Sequence, residues 1–311
     1  MSKLPCVALA CALLLAGACK RSQGSGGKVT ISGAWALYPM AVTWAEQYTK
    51  THPTITIDVS AGGAGKGMTD ALCGAVDLGM VSREINPAEA AKGAWSLAVV
   101  KDAVVLTVSA ENPALPTLLR RGLTRAELIR IWVDGAVKSW SFVQPDIDAP
   151  LHVYTRSDAC GAAETWAKYL GRSQEDLVGT GVYGDPGVAE AVRSDRLGLG
   201  FNNVGYAYDG KTKQPVAGLR IVPLDLNDNH EVDADEQFYL TLDMLTAAIA
   251  AGRYPSPPAR DLYFVSNGPP KAGPVREFLR WALTDGQAQV ATAGYVPLGP
   301  DKLAAELSRL P

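Results

Sequence analysis

The chain has 311 residues, with 29 Lys and Arg against 32 Asp and Glu, and a formal net charge of −3. No basic run or patch stands out, which argues against a nucleic-acid-binding protein. Beyond an N-terminal leader, about 285 residues remain, enough for one large α/β domain or two lobes.

The N-terminus reads as a leader. Lys3 precedes an apolar run that is too short to span a bilayer and has the form of a signal peptide, over residues 1–18. Leu-Ala-Gly-Ala before Cys19 resembles the lipobox of bacterial lipoproteins, whose cysteine is acylated. The alternative is an ordinary signal peptide cleaved after small residues. Residues 19–27 are polar and Gly/Ser-rich, which predicts a flexible tether.

The first third of the chain alternates between strand and helix patterns. Strands are predicted over 29–32, 55–60 and 76–81 and in two apolar runs, 96–100 and 103–108; helices are predicted over 39–50, from the glycine loop to 74, and from 87. A βαβαβ alternation of this kind predicts a mainly parallel sheet with helices on both faces.

The remaining elements continue this alternation. Thr124 is the predicted N-cap of an amphipathic helix that ends at Trp132. Strands are predicted over 151–156, 198–204 and 262–265, and helices up to 170, over 188–193 and 238–251, and in two C-terminal segments ending near 293. Among the remaining cysteines, Cys73 and Cys160, pairing is conceivable in an oxidising compartment, but we expect two buried or semi-buried thiols.

Two strand–loop–helix junctions favour anion binding. The first follows the strand ending at Ser60 and contains the cluster Gly62-Gly63-Ala64-Gly65. Glycine admits close backbone approach, and a helix start offers free N–H groups at a positive dipole end. The second junction is headed by Arg156, whose planar fork can hold two oxygens of an oxyanion. A glycine-rich turn can also simply connect a strand to a helix.

Five stretches together resemble one family. They are GAWALYP (33–39), AGGAGKGM (61–68), VDLGMVSR (76–83), RSDACGAA (156–163) and AGYVPL (293–298). In this order they resemble substrate-binding proteins of bacterial phosphate ABC transporters, across nearly the whole mature chain. The resemblance implies an α/β, two-lobed, type II-like periplasmic binding protein, each lobe a mixed sheet flanked by helices. It implies lobe I at 28–107 and 262–311 and lobe II at 108–261.

The resemblance also implies a function and a cleft. The expected protein is a monomer in the periplasm or at the cell surface that delivers phosphate or a related oxyanion to an ABC transporter permease, with the lipid as its only membrane contact. The implied ligand residues are Leu37, Tyr38, Ala64, Gly65, Asp77, Ser82, Arg156, Cys160, Gly161 and Ala162. No hydrolase or zinc motif is present, so no enzyme is expected.

Two of these residues have assigned roles. Arg156 would supply the positive charge, although a salt bridge between the lobes is an alternative. Asp77 would accept a proton from hydrogen phosphate, which sulfate cannot offer, so it would discriminate between the two anions. The alternative for Asp77 is an N-cap or a structural partner of Arg83.

The sequence departs from the family where hydroxyl donors are expected, at Leu37, Ala64, Cys160 and Ala162. Losing four hydrogen bonds to a charge would cost about 6–12 kcal/mol, against about 8 kcal/mol for micromolar binding. Either backbone N–H groups with Ser32, Ser82 and Lys66 compensate, or the ligand is another oxyanion or a phosphorylated organic molecule. In the second case the protein would sense the ligand or transport it. Trp35 would then stack on the organic group. The alternative is that Trp35 is an aromatic side chain packed on the surface of its lobe.

A separate acidic stretch has the spacing of an EF-hand-type calcium loop. Oxygen-bearing side chains fall at loop positions 1, 3, 5, 9 and 12 with an apolar residue at 8. The predicted structural calcium ligands are Asp225, Asn227, Asn229, Glu231, Asp233 and Glu236. His230 stands where the loop usually has glycine, and the alternative is a solvated acidic loop.

Overall fold

A computed structural model describes residues 27–311. The predicted signal peptide, Cys19 and nearly all of the predicted tether lie outside the described residues. Within residues 27–311, every helix is too short or too polar to cross a membrane.

Most strands belong to a single mixed sheet. The strands are β1 (Gly27–Gly33), β2 (Ile55–Ala61), β3 (Leu78–Val81), β4 (Ala94–Ser109), β5 (Leu123–Thr124), β6 (His152–Arg156), β7 (Thr180–Val182), β8 (Gly198–Asn203), β9 (Leu219–Val222), β10 (Leu224–Asp225) and β11 (Ala259–Asn267). Their order is β2-β1-β3-β11-β4-β8-β6-β7, with β9 also on β4 and a separate β10–β5 pair.

Helices flank this sheet throughout. They are α1 (Tyr38–Thr51), α2 (Ala64–Leu72), α3 (Pro87–Ala91), α4 (Leu115–Arg121), α5 (Arg125–Trp132), α6 (Gly161–Tyr169), α7 (Gly184–Ser194), α8 (Val204–Ala207), α9 (Leu242–Ala250), α10 (Pro274–Leu283) and α11 (Pro300–Arg309). The predicted α/β fold class with mixed sheets is confirmed. The expectation of a mainly parallel sheet is corrected, because β11 runs antiparallel to β3 and β4.

Strand β4 connects two hydrophobic cores. The two predicted apolar runs form this single strand of 16 residues. Its first part, up to Ala103, pairs with β11, and its second part, from Val104, pairs with β8 and β9. Along β4, the residues up to Val100 belong to the core around β1–β3, and those from Ala103 belong to the core around β8. The lobe division at 107/108 and 261/262 stays a prediction.

Local signals account for several elements. Thr124 caps α5, as predicted: its side chain accepts the N–H of Glu127. The helix predicted from 238 begins only at Leu242, after its own N-cap. The predicted C-terminal end near 293 is wrong, because α11 follows with Pro300 in its first turn, a favourable start for a helix.

The two cysteines within the described residues are both free. Cys160 is buried, whereas Cys73 is exposed, so the expectation of two buried or semi-buried thiols is correct only for Cys160.

Candidate functional site

The predicted anion loops follow the carboxyl ends of parallel strands. β1 lies parallel to β2 and β3, with Gly33 beside both Ala61 and Met80. Gly33 has φ of 131°, and a Cβ there would stand 2.4 Å from the carbonyl oxygen of Met80. Only glycine permits this approach. Gly63, with φ of 92°, is the N-cap of α2.

The loops of the two lobes are in direct contact. The N–H of Gly65 donates to the carbonyl of Ala159 at 3.3 Å. A Cβ on Gly161 would lie 2.2 Å from Ser82 Oγ, so Gly161 allows these loops to meet. Arg83 Nε also pairs with Glu164 at 2.9 Å across the same junction. The structure is therefore a closed arrangement of the lobes.

Arg156 is the charged centre of this junction. Arg156 is the last residue of β6, and its side chain is 1% exposed. Nε and Nη2 donate to the two oxygens of Asp158 at 2.8 and 2.6 Å, and Nη1 donates to Asp185 at 2.5 Å. Both carboxylates come from lobe II, so the predicted alternative of a salt bridge between lobes does not describe Arg156.

The carboxylates determine the electrostatics of the arginine. Burial alone would lower the pKa of Arg156, but Asp185 and Asp158 outweigh burial and raise that pKa above its ordinary value. The guanidinium is therefore permanently charged. One cation faces two carboxylates, so this trio carries a formal charge of −1 when all three groups are ionised.

Asp158 stands where an anion was predicted. Its Oδ1 accepts the N–H of Gly184 at 3.2 Å. A Cβ on Gly63 would lie 3.1 Å from Asp158 Oδ2, so this carboxylate lies against the start of α2. The arginine fork therefore holds two carboxylate oxygens beside a helix start, a position that suits an oxyanion.

A second buried arginine, Arg260, lies behind this centre. It comes from β11 and donates to the carbonyl of Gly161, to Thr165 Oγ1 and to the side chain of Asn203. Asp102 lies 3.8 Å from it. Burial raises the pKa of Asp102 to about 7, against the opposing attraction of Arg260.

Several predicted ligand residues use their polar groups elsewhere. The N–H groups of Leu37 and Tyr38 both donate to Ala34 O at 3.1 Å, and the Leu37 side chain is fully buried in the lobe I core. Cys160 is the N-cap of α6: its Sγ accepts the N–H of Ala163, and burial raises the pKa of its thiol to about 12. The remaining predicted alanines, Ala64 and Ala162, are also buried.

Asp77 is not brought to the other predicted ligand residues. It is exposed and precedes β3, at the opposite end of that strand from Ser82. Its Oδ2 accepts both the backbone N–H and the hydroxyl of Thr30 at 2.8 Å. We therefore correct its assignment as a reader of a ligand proton. Asp77 has a structural partner, as the alternative prediction held, but that partner is Thr30. Arg83, the partner named in that prediction, pairs with Glu89 and Glu164.

The compensating donors are likewise mostly occupied. Ser32 donates to Asp70 at 2.6 Å, and Lys66 pairs with the same carboxylate. Ser82 alone faces lobe II. Trp35 packs edge-on against Tyr183 and Tyr206 across the cleft, and within the described residues its Nε1 has no hydrogen-bond partner.

Five residues in and around this centre were not predicted from the sequence: Asp158, Asp185, Asn203, Tyr206 and Arg260. Asp158 was within the quoted arginine loop, and its position two residues after Arg156 was an available signal. Asp185 follows Arg156 by 29 residues and lies in the first turn of helix α7, so no local pattern pairs the two.

Two α/β lobes that meet around a buried arginine are typical of two-lobed ligand-binding proteins. Residues 20–286 match the model of the PBP superfamily domain, so the chain belongs to the periplasmic binding protein (PBP) superfamily.

The chain is similar to several named proteins. The chain is 27% identical to the phosphate-binding protein PstS of Methanocaldococcus jannaschii, over 83% of this chain and 79% of the relative. It is 25% identical to the phosphate-binding protein PstS 3 of Mycobacterium leprae, over 91% and 86%. A Clostridium perfringens structure, described as a phosphate ABC transporter substrate-binding protein with bound phosphate, matches with a TM-score of 0.72 and 20% identity, over 88% of this chain and 100% of the other.

Proposed function

We propose that the protein binds phosphate between its lobes and delivers it to the permease of an ABC transporter. The names of its relatives support the ligand and the transport role. The observation that carries the proposal is the buried Arg156, whose fork already holds two coplanar carboxylate oxygens beside the start of α2. Phosphate offers oxygens with similar spacing.

Asp158 takes the role first given to Asp77 in this proposal. Its side chain is 10% exposed, whereas that of Asp185 is 2% exposed, so Asp158 is the carboxylate nearer the cleft. A carboxylate beside the ligand accepts a proton from hydrogen phosphate and repels sulfate, which has none to give. Phosphate would enter by displacing one or both Asp158 contacts from Arg156.

Calorimetric titration with phosphate, arsenate, sulfate and a phosphonate tests this proposal. We expect phosphate and arsenate to bind and sulfate to bind at least tenfold more weakly. Arg156→Ala should abolish binding, whereas Arg309→Ala, which removes a half-exposed arginine paired with Glu306, should not change it. Unchanged phosphate affinity in Arg156→Ala would refute the site.

We further propose that Cys19 carries a lipid and anchors the protein at the periplasmic or cell-surface side of a membrane. The small residues before Cys19 and the polar segment after it support this proposal. Cys19→Ser should move the protein from the membrane fraction to the soluble fraction. Unchanged membrane association of the variant would contradict lipidation.

A second candidate is another oxyanion or a phosphorylated organic ligand, in transport or in sensing. The aromatic cluster favours it, because Trp35 meets Tyr183, which is 60% exposed, at 6.4 Å between ring centroids. Trp35→Ala separates the two candidates. It should leave binding of inorganic phosphate within about threefold and weaken an organic phosphate by about 1–3 kcal/mol if the ring stacks on it.

A further inference from the structure

The acidic loop of lobe II is separate from the cleft. It begins at Asp225, where β10 ends, and β10 pairs in parallel with β5. The N–H of Val232 donates to the carbonyl of Arg120 at 2.8 Å, so the middle of the loop is fixed to the end of α4. The loop is therefore held to the body of lobe II at two points, and Glu236 closes it as a buried side chain.

The decisive observation is a buried carboxylate oxygen with no partner. The side chain of Asp225 is fully buried, and its Oδ2 accepts the N–H of His230 at 2.8 Å from within the loop. Within the described residues, Asp225 Oδ1 has no hydrogen-bond partner. A buried ionised oxygen without a donor is costly, and a cation inside the loop would satisfy it.

The backbone of the loop follows the turn that calcium loops require. His230, at the sixth position, has φ of 60°, the conformation for which calcium loops use glycine. The side-chain oxygens of Asn227 and Asn229 each accept the N–H two residues further on, at 3.1 and 2.8 Å. The side chains of Asn227 and Asn229 both meet that of Asp233 within the loop.

The loop is not already gathered into a closed cage. Among residues 27–311, no three His, Cys, Asp or Glu side chains stand together closely enough to hold a metal. The amide groups of Asn227 and Asn229 instead both donate to Asp233 Oδ2 at 2.8 Å. A cation would replace these two donors at Asp233 and would draw the amide oxygens and Glu236 inward.

Among the described residues, the acids of the loop have one recorded ion pair, a 3.7 Å contact between His230 Nδ1 and Asp225 Oδ2. Arg121 contacts His230, but it also donates to Glu127 at 2.7 Å, so its charge is offset outside the loop. His230 is the only basic side chain among the twelve residues 225–236, which include six acids.

We propose that residues 225–236 bind one calcium ion that orders this loop of lobe II. The ligands are the side chains of Asp225, Asn227, Asn229, Asp233 and Glu236 and the backbone carbonyl of Glu231, which occupies the position where such loops use a main-chain oxygen. Oxygen ligands from carboxylate, amide and main chain match the preference of calcium, and magnesium would need a stricter octahedron.

Thermal unfolding of the full-length protein in 2 mM calcium, in 2 mM magnesium and in excess chelator tests the site. With a dissociation constant of about 0.1 mM, calcium should raise the melting temperature by about 3 °C relative to chelator. Calorimetry with calcium chloride should give one equivalent. No shift and no heat at 2 mM calcium would overturn the proposal, as would an equal shift in magnesium.

Three variants locate the ion. Glu236→Gln removes the closing carboxylate and should weaken calcium at least tenfold. Because Glu236 is buried, Asn229→Ala, an exposed ligand position, gives the same test without disturbing the core. Asp235→Asn makes the same charge change as Glu236→Gln at an exposed loop position outside the ligand set, and it should keep the parent affinity. Equal losses in Asp235→Asn and Glu236→Gln would show a diffuse charge effect and overturn the site.

Discussion

Replacing Arg156 by alanine should destabilise the folded protein even without ligand. The variant would leave two carboxylates, Asp158 and Asp185, facing each other in a space that their shared cation now fills. Asp185 would be affected more, because its side chain is only 2% exposed and water cannot replace the lost donor.

The size of this effect follows from the geometry. Arg156 Nη1 lies 2.5 Å from Asp185 Oδ2. Charge centres about 4 Å apart interact by about 4 kcal/mol at the effective dielectric constant of protein sites. Removing one partner of a buried pair typically costs about 3–5 kcal/mol, so we expect a loss in that range. Asp158 adds less, because its side chain is 10% exposed.

Urea unfolding at pH 7 of four proteins measures the effect: the parent, Arg156→Ala, Asp185→Asn and the double variant. Replacing the stranded carboxylate by an amide should restore at least half of the loss caused by Arg156→Ala, because the amide oxygen can still accept the N–H of Asn203. The coupling energy from this cycle should be at least about 2 kcal/mol.

Arg309→Ala is the matched control, since its half-exposed pair should contribute less than about 1 kcal/mol. The reasoning is refuted if Arg156→Ala costs no more than this control. It is also refuted if Asp185→Asn gives no recovery in the Arg156→Ala background, because the penalty would then not come from a stranded carboxylate.

Three further predictions address closure, pH dependence and capping. Gly161→Ala would place a Cβ 2.2 Å from Ser82 Oγ, so calorimetry should show phosphate binding weakened at least tenfold, whereas Gly210→Ala, in open space, should bind normally. The pKa of Asp102 is raised to about 7 in the folded protein, so the folded state holds a proton that the unfolded state has lost. The free energy of unfolding therefore falls as pH rises from about 4 to 7, by up to about 1.4 kcal/mol per pH unit. Urea unfolding should therefore show Asp102→Asn gaining stability relative to the parent between pH 5 and pH 8, and a constant difference would contradict this. Cys160→Ser puts a stronger N-cap acceptor on α6, so it should raise the free energy of unfolding by about 0.5–1 kcal/mol and leave phosphate affinity unchanged.

The sequence carried enough local information to predict the loops and the arginine. Glycines at strand ends, such as Gly33 and Gly63, mark places where the backbone must approach another segment or adopt a positive φ. Arg156 at the end of a strand, just before a helix, points toward a ligand edge for the same local reason. Helix caps such as Thr124 are equally local.

The prediction for Asp77 was wrong because it ignored strand direction. In α/β sheets, ligands bind beyond the carboxyl ends of the parallel strands. Asp77 lies before the amino end of β3, whereas Ser82 follows its carboxyl end. The strand bounds were predicted as 76–81, so the aspartate was counted as part of the strand rather than assigned to its N-terminal edge. Pairings such as Arg156 with Asp185 depend on how lobe II folds, which no short pattern encodes.

Strand β4 shows the same limit on a larger scale. The polar pair Lys101-Asp102 divided the apolar sequence into two predicted runs, but both residues have tertiary partners that keep the strand continuous. Lys101 exchanges backbone hydrogen bonds with Val296, and Asp102 is buried near Arg260. Lys101 and Asp102 therefore lie where β4 passes from one hydrophobic core to the other, and they do not form a turn.

The charges of the cleft restrict which ligand can bind at Arg156. A buried arginine held by two carboxylates is already satisfied, so an incoming anion must replace a contact rather than fill a gap. Asp158 is the contact that can yield, because Asp185 is fixed by the N–H of Asn203 and is almost fully buried. Binding would then exchange one anion for another at Arg156 and leave Asp158 free to accept a proton. A ligand that carries a proton, as hydrogen phosphate does, relieves the repulsion that this exchange creates, and a ligand without one cannot.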